Sequence, residues 1–213
     1  MSKYGYVGKE SDIPQQAFQA NAGVLSVNDH LALSQEDKLT QYGQLELIET
    51  KDLTGTTPTA IDFTDLKEDI YNVHLLTYNN LQITGSDTIR ARVSNDGGST
   101  FESTSQYDTA LQTMTTAGSF GESTRQNFQS YDRFGQNAVN QAYNGYIYIY
   151  NAGDSTKFTF LTAHVTNQND GFRFGSFVYH EAETVNAFRL FLTSNTFKDV
   201  GSVVSLYGIK EYS

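Results

Sequence analysis

The sequence contains no cysteine, which excludes disulfide bonds, thiolate metal sites and cysteine nucleophiles. Basic residues are fewer than acidic ones. The chain has 14 Lys and Arg and 24 Asp and Glu, which gives a net charge of −10. A chain with this charge is not suited to coat nucleic acid or an anionic membrane surface. No apolar run approaches the roughly 18 residues needed to cross a bilayer, and no signal-peptide core follows Met1. We therefore expect a protein made in the cytoplasm, with no nucleic-acid partner and no insertion into membranes.

Motifs for catalysis or cofactor binding are missing as well. The chain has no nucleophile elbow, dinucleotide-binding glycine motif, P-loop or H-E-x-x-H zinc motif, so we expect no cofactor and no metal. Two of the four histidines, His74 and His164, lie in apolar strand patterns, where a structural role is favoured. The densest titratable cluster follows His180, where Glu181 and Glu183 are the candidates for acid–base chemistry on a sugar. We do not predict an enzyme, because the chain is expected to turn at this cluster.

The residues that are abundant favour β-structure. Thr, Ser, Asn and Gln make up one third of the chain, and only 18% of residues are charged. From Gln44 onward the apolar residues recur with a period of two; for example, Ile89, Ala91 and Val93 alternate with polar neighbours and end in a turn at residues 95–98. Eight to ten such segments predict an all-β fold, an antiparallel jelly roll or β-sandwich, over residues 44–213.

The first 43 residues carry little that could form a core, and we name residues 1–43 the N-terminal arm. A weak capping pattern predicts one short helix around residues 28–41. Residues 1–70 hold 12 acids against five lysines, a net charge of −7. Two interpretations stay open: the arm folds onto its own domain, or it grips a neighbouring subunit.

Residues 101–144 break the strand pattern, because they are polar, poor in aliphatic residues and rich in aromatic ones. We predict a long loop here, which is uncommon inside a compact domain unless it is functional or held by a partner. The aromatic rings either fix the loop to the sandwich or form a recognition surface. The candidate site residues are Tyr131, Arg133, Phe134, Asn137 and Tyr143.

The residue pattern of one predicted strand, residues 146–150, indicates that the protein forms oligomers. Tyr146, Tyr148 and Tyr150 share one face, while Ile147 and Ile149 share the other. The simplest interpretation puts the tyrosines on the inner face of the sandwich. If both faces are apolar, the strand is covered on both sides, either by a second subunit or by the long loop. We therefore expect a homo-oligomer.

Several segments resemble bacteriophage appendage proteins. They appear in the order such a family would show, and the last is the most specific. The segments are residues 92–101 (RVSNDGGSTF), 145–151 (GYIYIYN), 187–191 (AFRLF) and 201–210 (GSVVSLYGIK), with Tyr107, Phe197 and residues 23–27 (GVLSV) in addition.

The resemblance implies a structural protein of a virion with a jelly-roll domain, similar in outline to carbohydrate-binding modules. Such proteins serve as tail-fibre or neck appendages or as head decorations, and they are frequently trimeric, which is the source of our expectation of a trimer. The family's fibres often carry long N-terminal shafts, whereas here only about 43 to 70 residues precede the sandwich. The chain is therefore similar to a compact appendage, an adaptor or a decoration unit.

Three functional hypotheses follow. The leading one is a non-enzymatic structural protein of a virion exterior, attached to other virion proteins through its N-terminal arm. The alternative is a carbohydrate-recognition module for host-surface glycan, in which rings stack on sugars while Arg133 and Asn137 bind hydroxyls. The third is a glycan depolymerase that uses Glu181 or Glu183.

Overall fold

The structure, a computed structural model, describes two residues of the N-terminal arm and most of the chain after it. The chain divides into two units, residues 1–43 and residues 44–213. In the first unit the described residues Leu31 and Gln35 are helical, and both fall within the predicted helix of residues 28–41. The rest of the arm lies outside the described residues. The described residues are Leu31, Gln35, 45–136, 141–168 and 171–210.

The second unit is a sandwich of two antiparallel sheets. The larger sheet has the strand order β1-β12-β3-β8-β9-β10-β5-β6, and the smaller sheet has the order β2-β11-β4-β7. The predicted all-β antiparallel sandwich is confirmed. The strands are β1 (Leu45–Asp52), β2 (Ala60–Phe63), β3 (Val73–Leu81), β4 (Thr88–Ser94), β5 (Tyr107–Met114), β6 (Phe120–Phe128), β7 (Tyr131–Gln136), β8 (Tyr143–Tyr150), β9 (Phe158–Asn167), β10 (Gly171–Ala182), β11 (Ala187–Phe191) and β12 (Val203–Ile209).

Strand β4 shows how the period of two produces the sandwich. Its alternating residues Ile89, Ala91 and Val93 are completely buried between the sheets. The chain then reverses at residues 95–98, where Gly97 and Gly98 adopt φ values of 71° and 82°, a region that glycine enters at little cost. The turn resembles a calcium loop in sequence, but the Asp96 carboxylate accepts hydrogen bonds from its own loop.

The prediction of a long loop over residues 101–144 is wrong. Most of this segment forms strands β5, β6 and β7. In β5, Tyr107, Thr109 and Leu111 are buried while the residues between them are more exposed; a threonine on the inner face obscures the alternation. Strand β6 is an edge strand with both faces largely exposed, so no burial imposes a hydrophobic period on its sequence.

Aromatic rings from both sheets fill one end of the core. Phe134 of β7 stacks on Phe177 of β10 with 4.6 Å between ring centroids and 25° between planes. Tyr131 of β7 meets Tyr107 of β5 edge to face at 4.7 Å. These pairs join the end of the small sheet to the β5–β10 side of the large sheet.

A buried histidine lies elsewhere in the core. His74 of β3 is inaccessible to solvent, and its Nε2 lies 2.8 Å from the Leu66 carbonyl oxygen. Its Nδ1 has no hydrogen-bond partner among the described residues. Burial lowers the pKa of His74 to about 4, because a charged imidazole would lose its hydration. The predicted structural role of His74 agrees with this position.

We predict that His74 makes the fold sensitive to mild acid. The unfolded histidine has a pKa of about 6.5. Below that pH, His74 binds a proton in the unfolded chain and stays neutral in the folded chain. Stability should fall as pH drops from about 6.5 to about 4, by a total of about 3 kcal/mol. His74→Gln keeps a donor for the Leu66 carbonyl and cannot titrate, so it should lose this slope.

Urea denaturation of both proteins at pH 7 and pH 5 measures the effect. The variant should be less stable at pH 7, and the difference between the two proteins should shrink at pH 5. An equal loss of stability in both proteins between the two pH values contradicts the prediction, since the carboxylates they share titrate alike.

Candidate functional site

The three aromatic residues predicted to form a recognition surface lie in the core. Tyr131 and Phe134 have no exposed surface, and Tyr143 is 1% exposed. Their burial favours the other interpretation of the sequence, in which the rings fix this segment to the sandwich, and they present no surface to a ligand. The cause lies in β7, where Arg133 adopts a φ of 76° and the register with β4 shifts. Such a bulge turns two residues of a strand to the same face, so Tyr131 and Phe134 both point inward.

The two polar residues of the predicted site are Arg133 and Asn137. Arg133 belongs to a structural ion cluster, in which its Nε lies 3.5 Å from an oxygen of the nearly buried Asp132 carboxylate. Arg90 and Arg125 approach the same carboxylate at 3.3 and 3.5 Å, so the buried acid is compensated from several sides. Asn137 lies outside the described residues.

The candidate catalytic cluster is divided between separate contacts. His180 faces Asp108, with 3.4 Å between Nε2 and Oδ2. Glu183 accepts hydrogen bonds of 2.6 Å from the Tyr179 hydroxyl and the Asn95 side-chain amide. Burial and the bond to Glu183 raise the pKa of the Tyr179 hydroxyl well above its usual range. Glu183 therefore stabilises the β10–β11 connection by these bonds.

The described part of the chain shows neither a metal-binding cluster nor a membrane-spanning helix. Within those residues, His, Asp and Glu side chains do not gather in groups of three that could hold a metal ion. No described helix is both long enough and apolar enough to cross a bilayer.

The surface that stands out is the outer face of the eight-stranded sheet, the side turned away from the four-stranded sheet. In β8, Ile147 and Ile149 are completely buried against the small sheet. Tyr146, Tyr148 and Tyr150 therefore point outward, opposite to the simplest interpretation of the sequence. Large apolar side chains gather on this outer face. They are Leu45, Leu47, Phe120, Tyr146, Phe158, Phe160, Phe174 and Val203, each at least 37% exposed.

Rings on three adjacent strands of this face contact one another. Cross-strand pairing aligns Tyr146 of β8 with His164 of β9 and Phe174 of β10. The Tyr146 ring meets the His164 ring edge to face at 5.7 Å, and His164 meets Phe174 at 6.3 Å. We call the continuous set of rings on β8, β9 and β10 the aromatic row. Its members are Tyr146, Tyr148, Tyr150, His164, Phe172 and Phe174.

The aromatic row lines a shallow groove of about 700 Å³. Hydroxyl groups are placed among the rings, and the Tyr150 hydroxyl lies 3.2 Å from the Thr162 hydroxyl. Ser176 lies two residues after Phe174, on the same side of β10. The groove thus offers ring faces and neutral hydrogen-bonding groups, a combination suited to an uncharged ligand or to a protein surface.

The absence of charge extends well beyond the groove. The pairing registers place alternate residues of β12, β3, β8, β9 and β10 on the outer face. Among these outward residues there is no Asp, Glu, Lys or Arg. They are Val203, Ser205, Tyr207 and Ile209; Val73, Leu75, Thr77 and Asn79; Asn144, Tyr146, Tyr148 and Tyr150; Phe158, Phe160, Thr162, His164 and Thr166; and Phe172, Phe174, Ser176, Val178 and His180.

We call this outward side of the five central strands the uncharged face. A solvated face of an antiparallel sheet normally carries polar and charged residues in alternation with its core. An uncharged, ring-rich face matches the composition of the buried centre of a protein interface, where aromatic residues are enriched and charges depleted.

Comparison with known proteins gives no relative: no family model, no curated protein and no solved structure matches the chain.

We predict that the two groups of rings respond differently to truncation. Phe134→Ala empties a buried site and should lower the unfolding free energy by about 3–5 kcal/mol. Tyr146→Ala removes a ring that is 41% exposed and should cost less than about 1 kcal/mol. Thermal and urea unfolding of both variants, at a protein concentration at which the chain is monomeric, measure the difference. Equal losses would contradict the assignment of Tyr146 to the surface and Phe134 to the core.

Proposed function

We propose that the chain is a non-enzymatic structural protein of a bacteriophage virion exterior, assembled as a homotrimer and attached to other virion proteins through its N-terminal arm. The observation that carries the proposal is the uncharged face. A subunit of a particle has neighbours that cover such a surface, whereas an isolated protein would expose it to water.

The residues behind the sequence resemblance support the same proposal. Residues 92–101 end β4 and form the following turn, residues 145–151 form most of β8, and residues 201–210 contain β12. Strand β12 pairs with both β1 and β3 in the large sheet. The resembling segments thus build the sandwich, and β8 and β12 supply part of its uncharged face.

The contacts of the candidate catalytic residues also favour a structural role. Glu183 is engaged by Tyr179 and Asn95, and His180 faces Asp108 rather than a glutamate. A general acid and base for sugar hydrolysis should instead flank a shared cleft.

We predict that the full-length chain is present in purified particles of the phage that encodes it, in multiple copies per particle. A chain that lacks residues 1–43 should keep its β-sheet circular dichroism and fail to enter particles, because the N-terminal arm supplies the attachment. Quantitative mass spectrometry of particles assembled with either chain measures incorporation. Normal incorporation of the shortened chain contradicts the role of the arm, and absence of the full-length chain from particles contradicts the proposal itself.

A second candidate, recognition of host-surface glycan, is favoured by the aromatic row. Rings can stack on the apolar faces of sugars while the hydroxyls of Thr162 and Ser176 bind sugar hydroxyls. This places the candidate on residues other than Tyr131, Phe134 and Tyr143, which are buried.

We predict that, if the chain recognises glycan, Tyr148→Ala abolishes binding on a glycan array, since Tyr148 lies in the groove between Tyr146 and Tyr150. Phe120→Ala is the matched control, because Phe120 is 76% exposed on the edge strand β6 and lies outside the groove. Binding that survives Tyr148→Ala, or that Phe120→Ala removes equally, contradicts a glycan site in the aromatic row.

A further inference from the structure

We propose that the uncharged face is the surface through which copies of this chain associate, so that the rings of the aromatic row are buried against a second copy. This inference rests on the homotrimer of the proposed function and names the surface that joins its subunits. Self-association of the purified chain is measured without particles, so its outcome is distinguishable from that of the incorporation experiment.

The size of the face suits a protein partner. Five strands at about 4.8 Å spacing, with a mean length of about 30 Å, present roughly 700 Å² of sheet. A stable protein interface buries about 800 Å² on each partner. A small ligand in the groove would cover only the part over β8, β9 and β10, and the apolar residues of β3 and β12 would stay in water.

The charge distribution favours an identical partner. Each chain carries a net charge of −10, so two copies repel one another wherever their acidic surfaces meet. Away from the edge at which Asp108 faces His180, the uncharged face is the part of the large sheet on which two copies can approach without bringing carboxylates together. It offers no charged group by which a differently charged partner would be selected.

The sequence analysis left open a second way to cover the tyrosines of β8, namely by the predicted long loop. The structure excludes this cover for residues 101–136. Residues 101–136 were expected to form a loop that could lie over the tyrosines of β8. In the structure these residues form β5, β6 and β7 and the turns between them, and β7 belongs to the small sheet on the opposite side of the core. They therefore leave the uncharged face open.

Charge substitution on the face tests the proposal with the full-length chain. We expect sedimentation velocity to show an oligomer for the wild type at about 50 µM and a dissociation constant at least about 100-fold weaker for the double variant Tyr146→Glu/Phe174→Glu, because burying carboxylates in an apolar interface is costly. Both side chains point outward and are more than 40% exposed, so circular dichroism should remain that of the wild type.

Ile70→Glu is the matched control, because Ile70 is 64% exposed in a connection outside the sheets. This variant should associate like the wild type. A monomeric wild type, or an oligomer that the double variant leaves intact, overturns the proposal. Glycan binding by a monomeric wild type that Tyr148→Ala abolishes would assign the face to a saccharide instead.

A second measurement does not depend on substitutions that change the charge. Since the chain has no cysteine, Thr162→Cys places a single thiol at an exposed position on the face, and Ser119→Cys places one in the β5–β6 turn. Maleimide should label position 162 at least about tenfold more slowly at high than at low protein concentration, because association buries the thiol. Position 119 should react at the same rate throughout. Equal, concentration-independent labelling at both positions contradicts burial of the face.

Discussion

The sandwich depends on the packing of aromatic and aliphatic side chains between its two sheets, which differ in width by a factor of two. The four-stranded sheet packs against one side of the eight-stranded sheet and leaves the edge strand β6 largely exposed on both faces. Phe134 stacked on Phe177 connects β7 to β10, and Ile147 and Ile149 fill the space beneath β8. Once these residues are inside, the alternation of the strands leaves their neighbours outside. The aromatic row is therefore a consequence of the same packing that forms the core.

This arrangement gives the large sheet two apolar faces with only one of them covered. Burial of apolar surface is the main favourable contribution to folding and association, and it contributes roughly 25 cal/mol per Å² buried. A second cover over the uncharged face would gain the same kind of stabilisation that the small sheet already supplies on the other side. Sheets that pack face to face keep about 10 Å between them, the distance that interdigitating side chains fill. The proposals of particle assembly and of self-association rest on this shared physical argument.

The alternation of apolar and polar residues was sufficient to predict the fold class and several strands, including β4 and its turn. It was not sufficient to predict which side of β8 faces inward, because isoleucine and tyrosine are both compatible with a core. The segment 101–136 was misjudged for two physical reasons. The edge strand β6 buries neither face and so carries no hydrophobic period, and the bulge at Arg133 brings Tyr131 and Phe134 to one side although they are three residues apart. The site was missed because it forms only when β8, β9 and β10 are aligned, and their register is not visible along the sequence.

The central claim is that the uncharged face is covered in the assembled protein. The most direct measurement is single-particle electron microscopy of the full-length chain in its assembled state, at a resolution that shows side chains around Tyr148. The account predicts that the rings of β8, β9 and β10 lie against another copy of the same chain. A map in which these rings face open solvent, while copies contact one another elsewhere, would contradict it.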